Sequence, residues 1–221
     1  MNKYTYPKAA SSVLISIDVQ NDFTVVGATA KIRGTYEKVP QMLRLLNAFR
    51  GASRPIVHVI RLYLSDGSNV DVCRRELIEG GAKIATPGTS GAELVNDLKP
   101  DKSIFLEAER LLQGEFQLLG QNEWVMYKPR WDAFYQTMLE SHLRNRGVDT
   151  VVFCGCNFPN CPRASIYGAS MRNFRVVLVT DAVSGIYEKG IEELKNIGIS
   201  LMTTNECIDW ISGRQAGQVA S

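Results

Sequence analysis

Short apolar runs of strand length recur along this chain, and most of the gaps between them show helical periodicity. Val13-Leu14-Ile15-Ser16-Ile17 is almost continuously apolar, the pattern of a strand buried on both faces. Val39 to Phe49 follows, with Met42, Leu43, Leu45, Leu46 and Phe49 at helical spacing and Pro40 near its start. Pro55 to Arg61 reads as a second strand, Val70 to Gly80 as a helix, Pro87 to Lys99 as a loop and short helix, and Glu123 to Tyr127 as a third strand. Phe134 to Arg146 reads as a helix stopped by Gly147, Asp149 to Phe153 as a fourth strand, and Pro162 to Arg172 as the helix after it, with Asn173 as a left-handed cap. Arg175 to Thr180 is a fifth strand, Ile191 to Asn196 is helical, and Ser200 to Thr204 is a sixth, edge strand. Strands separated by helices pair in parallel through crossovers, so the pattern predicts a three-layer α/β/α domain with a mainly parallel six-stranded sheet. The 221 residues, 45% of them hydrophobic, suffice for one domain over 1–221, with its core at 12–204 and a loose tail from Gly213 to Ser221. The stretch Glu107 to Gln121 departs from the pattern and is a candidate lid or oligomer contact.

Composition excludes several classes. A net charge of +2 with no basic stripe argues against nucleic acid or an anionic membrane as partner. No apolar run approaches the roughly 20 residues that span a bilayer. Met1 to Pro7 lacks the apolar stretch of a signal peptide, and the five cysteines are odd in number, so a cytoplasmic setting with free thiols is expected.

In an α/β sheet the loops at the carboxyl ends of the strands hold the site. Three predicted strands end in polar chemistry. Asp18 follows the first; a carboxylate at the mouth of an apolar strand is partly desolvated and a better proton acceptor, although Asp also forms turns and caps. Lys128 follows the third, either as a cation beside the site or as a surface lysine. Cys161 follows the fourth, after Gly155 and an Asn/Pro-rich turn, at the start of a helical pattern. Helix N-termini favour thiolate over thiol, and the thiolate is the nucleophile. The other fate of a free cysteine is that of a small buried hydrophobe, expected for Cys154, Cys156 and Cys207. The spacing of Cys154, Cys156 and Cys161 matches no standard zinc pattern, and no histidine lies near them.

Together these segments carry a resemblance. Leu14-Ile15-Ser16-Ile17-Asp18-Val19-Gln20-Asn21-Asp22-Phe23, Tyr127-Lys128-Pro129-Arg130-Trp131-Asp132-Ala133-Phe134, Gly155 to Cys161, and Val179-Thr180-Asp181-Ala182 are similar in order and spacing to the isochorismatase-like cysteine hydrolases, which include nicotinamidases, N-carbamoylsarcosine amidase, ureidoacrylate hydrolases and streptothricin hydrolases. The resemblance covers roughly Ser12 to Thr204. It implies the isochorismatase-like fold and a catalytic set of Asp18, Lys128 and Cys161. Asp18 takes the thiol proton, Cys161 attacks a carbonyl carbon to form a thioester, and Lys128 holds the charge balance. It also implies a cis peptide at Cys156–Asn157 and an oxyanion hole made of the backbone N–H groups of Asn157 and Cys161. The Pro at Phe158–Pro159 leaves that bond as an alternative cis site. Nicotinamidases of the family bind a metal through an Asp and two His after the second strand. This chain has Arg61-Leu62-Tyr63-Leu64-Ser65-Asp66 there, so no metal or other cofactor is expected. Isochorismatases proper cleave an ether without a cysteine, so Cys161 favours amide or ureide C–N hydrolysis. An ether- or ester-cleaving enzyme and a non-enzymatic binding or redox-sensing protein are the alternatives. Phe23, Arg61, Tyr63, Trp131 and Tyr135 are candidate substrate-binding residues, with Arg61 available for a carboxylate or for an internal salt bridge. The partner is a small molecule, and the family implies a homodimer or homotetramer.

Overall fold

The computed structural model describes residues 2–214; the remainder of the expected loose tail, 215–221, lies outside the described residues. The strands are β1 (Ser12–Ile17), β2 (Ile56–Ile60), β3 (Gln117–Gly120), β4 (Glu123–Tyr127), β5 (Thr150–Gly155), β6 (Arg175–Val183) and β7 (Ser200–Met202). The helices are α1 (Asn21–Thr24), α2 (Val39–Gly51), α3 (Val72–Glu79), α4 (Ala108–Leu112), α5 (Leu139–Arg144), α6 (Cys161–Met171), α7 (Glu188–Asn196) and α8 (Thr204–Ile211).

The sheet order is β3-β4-β2-β1-β5-β6-β7, with every pair parallel except β3 with β4. Alternation along the strands builds two cores. Val13, Ile15, Ile17, Val151 and Phe153 pack against Leu139 and Leu143 of α5, Ile166 and Ala169 of α6 and Leu194 of α7. Leu14, Val152 and Cys154 face Met42, Leu45, Leu46 and Phe49 of α2 and Cys207 and Ile211 of α8. Two buried, largely apolar faces on the central strands explain why their sequence runs are nearly continuous rather than alternating.

The sheet has seven strands, not the expected six. The extra one, β3, lies within Glu107 to Gln121 and pairs antiparallel on the β4 edge. Leu111 and Leu119 bury into a core with Ile60 and Val125, so the segment completes the sheet and is no lid over the cavity described below. The helix expected from Phe134 begins only at Leu139. Asp132 accepts the Phe134 N–H at 2.9 Å, and Gln136 has a φ of 52°, a left-handed turn that cannot continue a right-handed helix. Thr203, expected in the last strand, instead caps α8 in a reciprocal capping box with Glu206. Asn173 has the left-handed φ of 58° expected of a cap after α6.

Candidate active site

Asp18, Lys128 and Cys161 reach one place because β1, β4 and β5 run parallel and end together. Asp18 leaves β1 with a φ of 54°, and its N–H donates to the Val59 carbonyl at 2.8 Å. Lys128 leaves β4 with its N–H on the Ile60 carbonyl at 3.0 Å. Its side chain is fully buried rather than lying on the surface, and Nζ donates to Asp18 Oδ2 at 2.9 Å. The other carboxylate oxygen, Oδ1, is buried without a hydrogen-bond partner among the described residues. Buried polar oxygens are ordinarily hydrogen-bonded, so an open one is an exception that the chemistry of the site has to explain.

Cys161 is the first residue of α6, beside that carboxylate. Its thiol is not the helix-stabilised thiolate that the sequence suggests. Burial, then the Asp18 charge, push it up to about 12, against the opposing pull of Lys128. A pair of N-terminal N–H groups is too weak to offset desolvation and a neighbouring anion. The thiol is therefore protonated at neutral pH, and nucleophilic attack requires transfer of its proton to a base.

The turn before Cys161 is held on both sides. Gly155 ends β5 with a φ of 118°, and a Cβ there would lie 2.3 Å from the Ile17 carbonyl oxygen, so only glycine lets β5 pass this close to β1. The Cys156–Asn157 peptide is the one cis bond among the described residues, and Phe158–Pro159 is trans. Phe158 is buried, and its N–H donates to the Ser184 carbonyl at 2.7 Å. No backbone carbonyl of the described residues takes the N–H of Asn157 or of Cys161. On the helix side, Ser165 Oγ donates to the Cys161 carbonyl at 2.8 Å and accepts the Ala133 N–H at 2.9 Å. That link ties the first turn of α6 to the loop after Lys128.

The cavity at this centre is about 20 Å³, roughly the room needed for one water. Phe23, Tyr63 and Trp131 line it, as does Arg61. Tyr135 does not; it is exposed on the turn that interrupts the predicted helix. Arg61 takes the internal alternative. Its guanidinium is buried, pairs with Asp71 and donates to the Lys128 carbonyl at 3.2 Å. Sequence reasoning missed Ile32, Arg74 and Asn160, which also line the cavity. Nothing in one sequence separates Arg74 from the adjacent Arg75; only the phase of α3 does.

A metal does not fit the segment after β2. Asp71 is committed to Arg61, and a guanidinium in this position repels a cation. No group of three or more His, Cys, Asp or Glu side chains among the described residues is disposed to hold a metal ion. Of the two histidines, His58 lies within the sheet, hydrogen-bonded with Ser16 Oγ at 2.7 Å and Glu123 at 2.8 Å. His142 is stacked on Phe116.

The fold and site define a three-layer α/β protein with a buried Asp–Lys pair beside a cysteine at a helix start. Residues 107–206 match the isochorismatase domain. An isochorismatase family protein from Desulfovibrio vulgaris is 32% identical, with a TM-score of 0.78 over 92% of this chain and 99% of that one. This chain belongs to the isochorismatase family. Among further relatives, an Arabidopsis thaliana protein named a probable inactive nicotinamidase is 29% identical over 89% of this chain and 94% of its own length. A ureidoacrylate amidohydrolase from Methylobacterium radiotolerans is 26% identical over 92% of this chain and 76% of its own.

Proposed function

We propose that this chain is a metal-free cysteine hydrolase that cleaves an amide or ureide C–N bond of a small non-peptide substrate. The observation that carries the reading is the Asp18 carboxylate, with one oxygen held by Lys128 and the other open beside the Cys161 thiol. In the first step the thiol proton passes to Asp18, and Sγ bonds to the carbonyl carbon. The carbonyl oxygen takes the negative charge and accepts from the N–H groups of Asn157 and Cys161. Collapse breaks the C–N bond, and the leaving nitrogen takes the proton from Asp18, so ammonia or an amine departs and a thioester remains. Water then adds to the thioester, giving its proton to Asp18. The C–S bond breaks, the acid leaves, and the proton returns to sulfur. Lys128 donates to Asp18 Oδ2 and holds the carboxylate in place. The ureidoacrylate amidohydrolase among the relatives supports this class of reaction.

The test is ammonia release from a panel of small amides and ureides, with matched esters alongside. Cys161→Ala and Asp18→Asn should each lower turnover by roughly 10³-fold or more, because the nucleophile and its base act as a unit. Turnover of esters alone would move the reading to ester cleavage. A second reading, a binding protein without turnover, is favoured by the small cavity and by the relative named as inactive; it predicts no hydrolysis across the panel with ligand binding retained.

A further inference from the structure

A single residue grips the turn that carries Asn157 from both sides. Ser184, the first residue after β6, donates its N–H to the Gly155 carbonyl at 3.1 Å and takes the Phe158 N–H on its own carbonyl at 2.7 Å. Asn157 lies between those two anchor points, so the direction of its N–H follows the placement of the Ser184 backbone. That backbone is past the end of its strand, and Gly185 turns the chain away with a φ of 70°. The Ser184 side chain supplies the missing fastening. Its Oγ is hydrogen-bonded with Thr35 Oγ1 at 2.9 Å, across 149 positions of sequence, and both residues are buried. Thr35 belongs to the segment between α1 and α2 that walls the cavity through Ile32, whose carbonyl accepts the Thr35 N–H at 3.2 Å. Thr35 also lies against the Cys156 thiol, which donates to the Asp18 carbonyl at 3.0 Å. Two apolar side chains of the same shape would fill this space at similar stability, because a buried hydroxyl pair returns only a modest net gain. What the hydroxyls add is direction, since a hydrogen bond fixes distance and angle where an apolar contact does not.

We propose that Thr35 and Ser184 are positioning residues: their buried hydroxyl pair sets the Ser184 backbone and, through it, the Asn157 N–H that meets the oxyanion. This rests on the C–N hydrolase reading for the oxyanion itself. Neither residue lines the cavity, so both act through the turn and not on the substrate. An oxyanion donor is effective only within about 2.7–3.1 Å of the oxygen it stabilises. A turn that slides by a fraction of an ångström leaves the cavity walls to bind the substrate as before and weakens the hold on the tetrahedral intermediate. Loss of the hydroxyl pair should therefore lower kcat and leave KM near its native value.

The probe is acetaldehyde, whose carbonyl takes up the Cys161 S–H to give a hemithioacetal with nothing lost: the C–S bond forms, the C=O π bond breaks, and the oxygen lies where the oxyanion would. Its affinity is read as protection of Cys161 from iodoacetamide, a displacement at saturated carbon that needs no oxyanion donor. Thr35→Val removes one hydroxyl at constant shape and Thr35→Ser keeps it. The Thr35→Val, Ser184→Ala double variant strands neither hydroxyl and is measured where Thr35→Val alone does not fold. Thr35→Val and the double variant should each loosen acetaldehyde about tenfold and lower kcat on a cleaved amide by a similar factor, less than the loss of a whole donor. The rate of Cys161 alkylation without aldehyde should stay at its native value, and Thr35→Ser should regain most of the lost affinity. Native acetaldehyde affinity in the double variant overturns the proposal, as does alkylation that slows in step with it, because the thiol and not the donor has then moved. The two readings fail separately. If the variants loosen acetaldehyde but no amide is cleaved by the native protein, the positioning stands and the hydrolase falls. If the native protein and the double variant cleave amides with equal kcat, the positioning falls and the hydrolase stands. Absence of any adduct in the native protein overturns the positioning, since the turn then faces no oxyanion.

Discussion

Lys128 is the residue on which the centre turns. Its ammonium is buried and meets Asp18 at 2.9 Å, so removing it strands a buried carboxylate. Lys128→Met should cost about 3–5 kcal/mol of stability, as breaking one side of a buried pair does, and should abolish turnover even where the fold survives. Chemical denaturation with the Asp18→Asn, Lys128→Met double variant checks this, since the double variant should recover part of the loss. Gly155→Ala should destabilise by about 2 kcal/mol or more, because the new Cβ meets the Ile17 carbonyl; an unchanged melting temperature would contradict the close approach. At this scale the sequence was legible where chemistry and position coincide. Asp18, Lys128 and Cys161 each end or follow an apolar strand, and their convergence follows from parallel topology. Tyr135 and Arg74 were not legible, because whether a residue on a turn or a short helix faces the cavity depends on its phase. The state of the Cys161 thiol was misjudged for a different reason: its neighbours in space outweigh its place on the helix.

At the scale of elements, a buried hydrogen-bonded chain crosses the sheet from Ser16 on β1 through His58 on β2 to Glu123 on β4, where Arg50 of α2 closes it at 2.7 Å. Burial alone would raise the Glu123 carboxyl, but hydrogen bonds from Arg50 and His58 win and hold it at about 2. Its folded value is below its unfolded one, so its stabilisation is present above about 4.5 and is lost as pH falls towards 2. Denaturation midpoints measured across that window should fall more steeply in the native protein than in Glu123→Gln; parallel curves would contradict the account. Ser165→Ala leaves the buried Ala133 N–H without its acceptor and should cost about 1–3 kcal/mol. Because Ser165 joins α6 to the loop after Lys128, kcat should fall with it. The elements missed by sequence are short or masked by a stronger local signal. β3 has four residues, two of them the Leu pair Leu118–Leu119, too few to show a period. α8 was legible in the Thr203–Glu206 capping box, but Ser200-Leu201-Met202-Thr203-Thr204 also reads as a strand, and the strand reading took one residue of the cap and the first of the helix.

For the whole molecule, the alternation of strand and helix was enough to give the three-layer class, because crossover connections admit few topologies. What it left undetermined was the sheet's antiparallel edge, where pairing is set by a hairpin rather than by a crossover. The single-domain expectation has a direct test. Trp124 lies on β4, Trp131 lines the cavity, and Trp210 packs with α2 from α8. Tryptophan fluorescence and far-ultraviolet circular dichroism should therefore follow one coincident unfolding transition; two separated transitions would divide the chain into independent parts.

In the proposed mechanism Asp18 is the base for a Cys161 thiol that is protonated at rest. The measurement that tests it is the pH dependence of iodoacetamide alkylation at Cys161, mapped by mass spectrometry in the native protein and in Asp18→Asn, with exposed Cys73 as internal control. Cys161 should react more slowly than Cys73 near neutral pH, with its midpoint far up the alkaline range. Asp18→Asn removes the neighbouring anion, so the midpoint should move down and alkylation at a given pH should quicken, while hydrolysis is lost. If Asp18→Asn leaves the alkylation profile unchanged, or if it keeps full hydrolysis, Asp18 is not the base and the account fails.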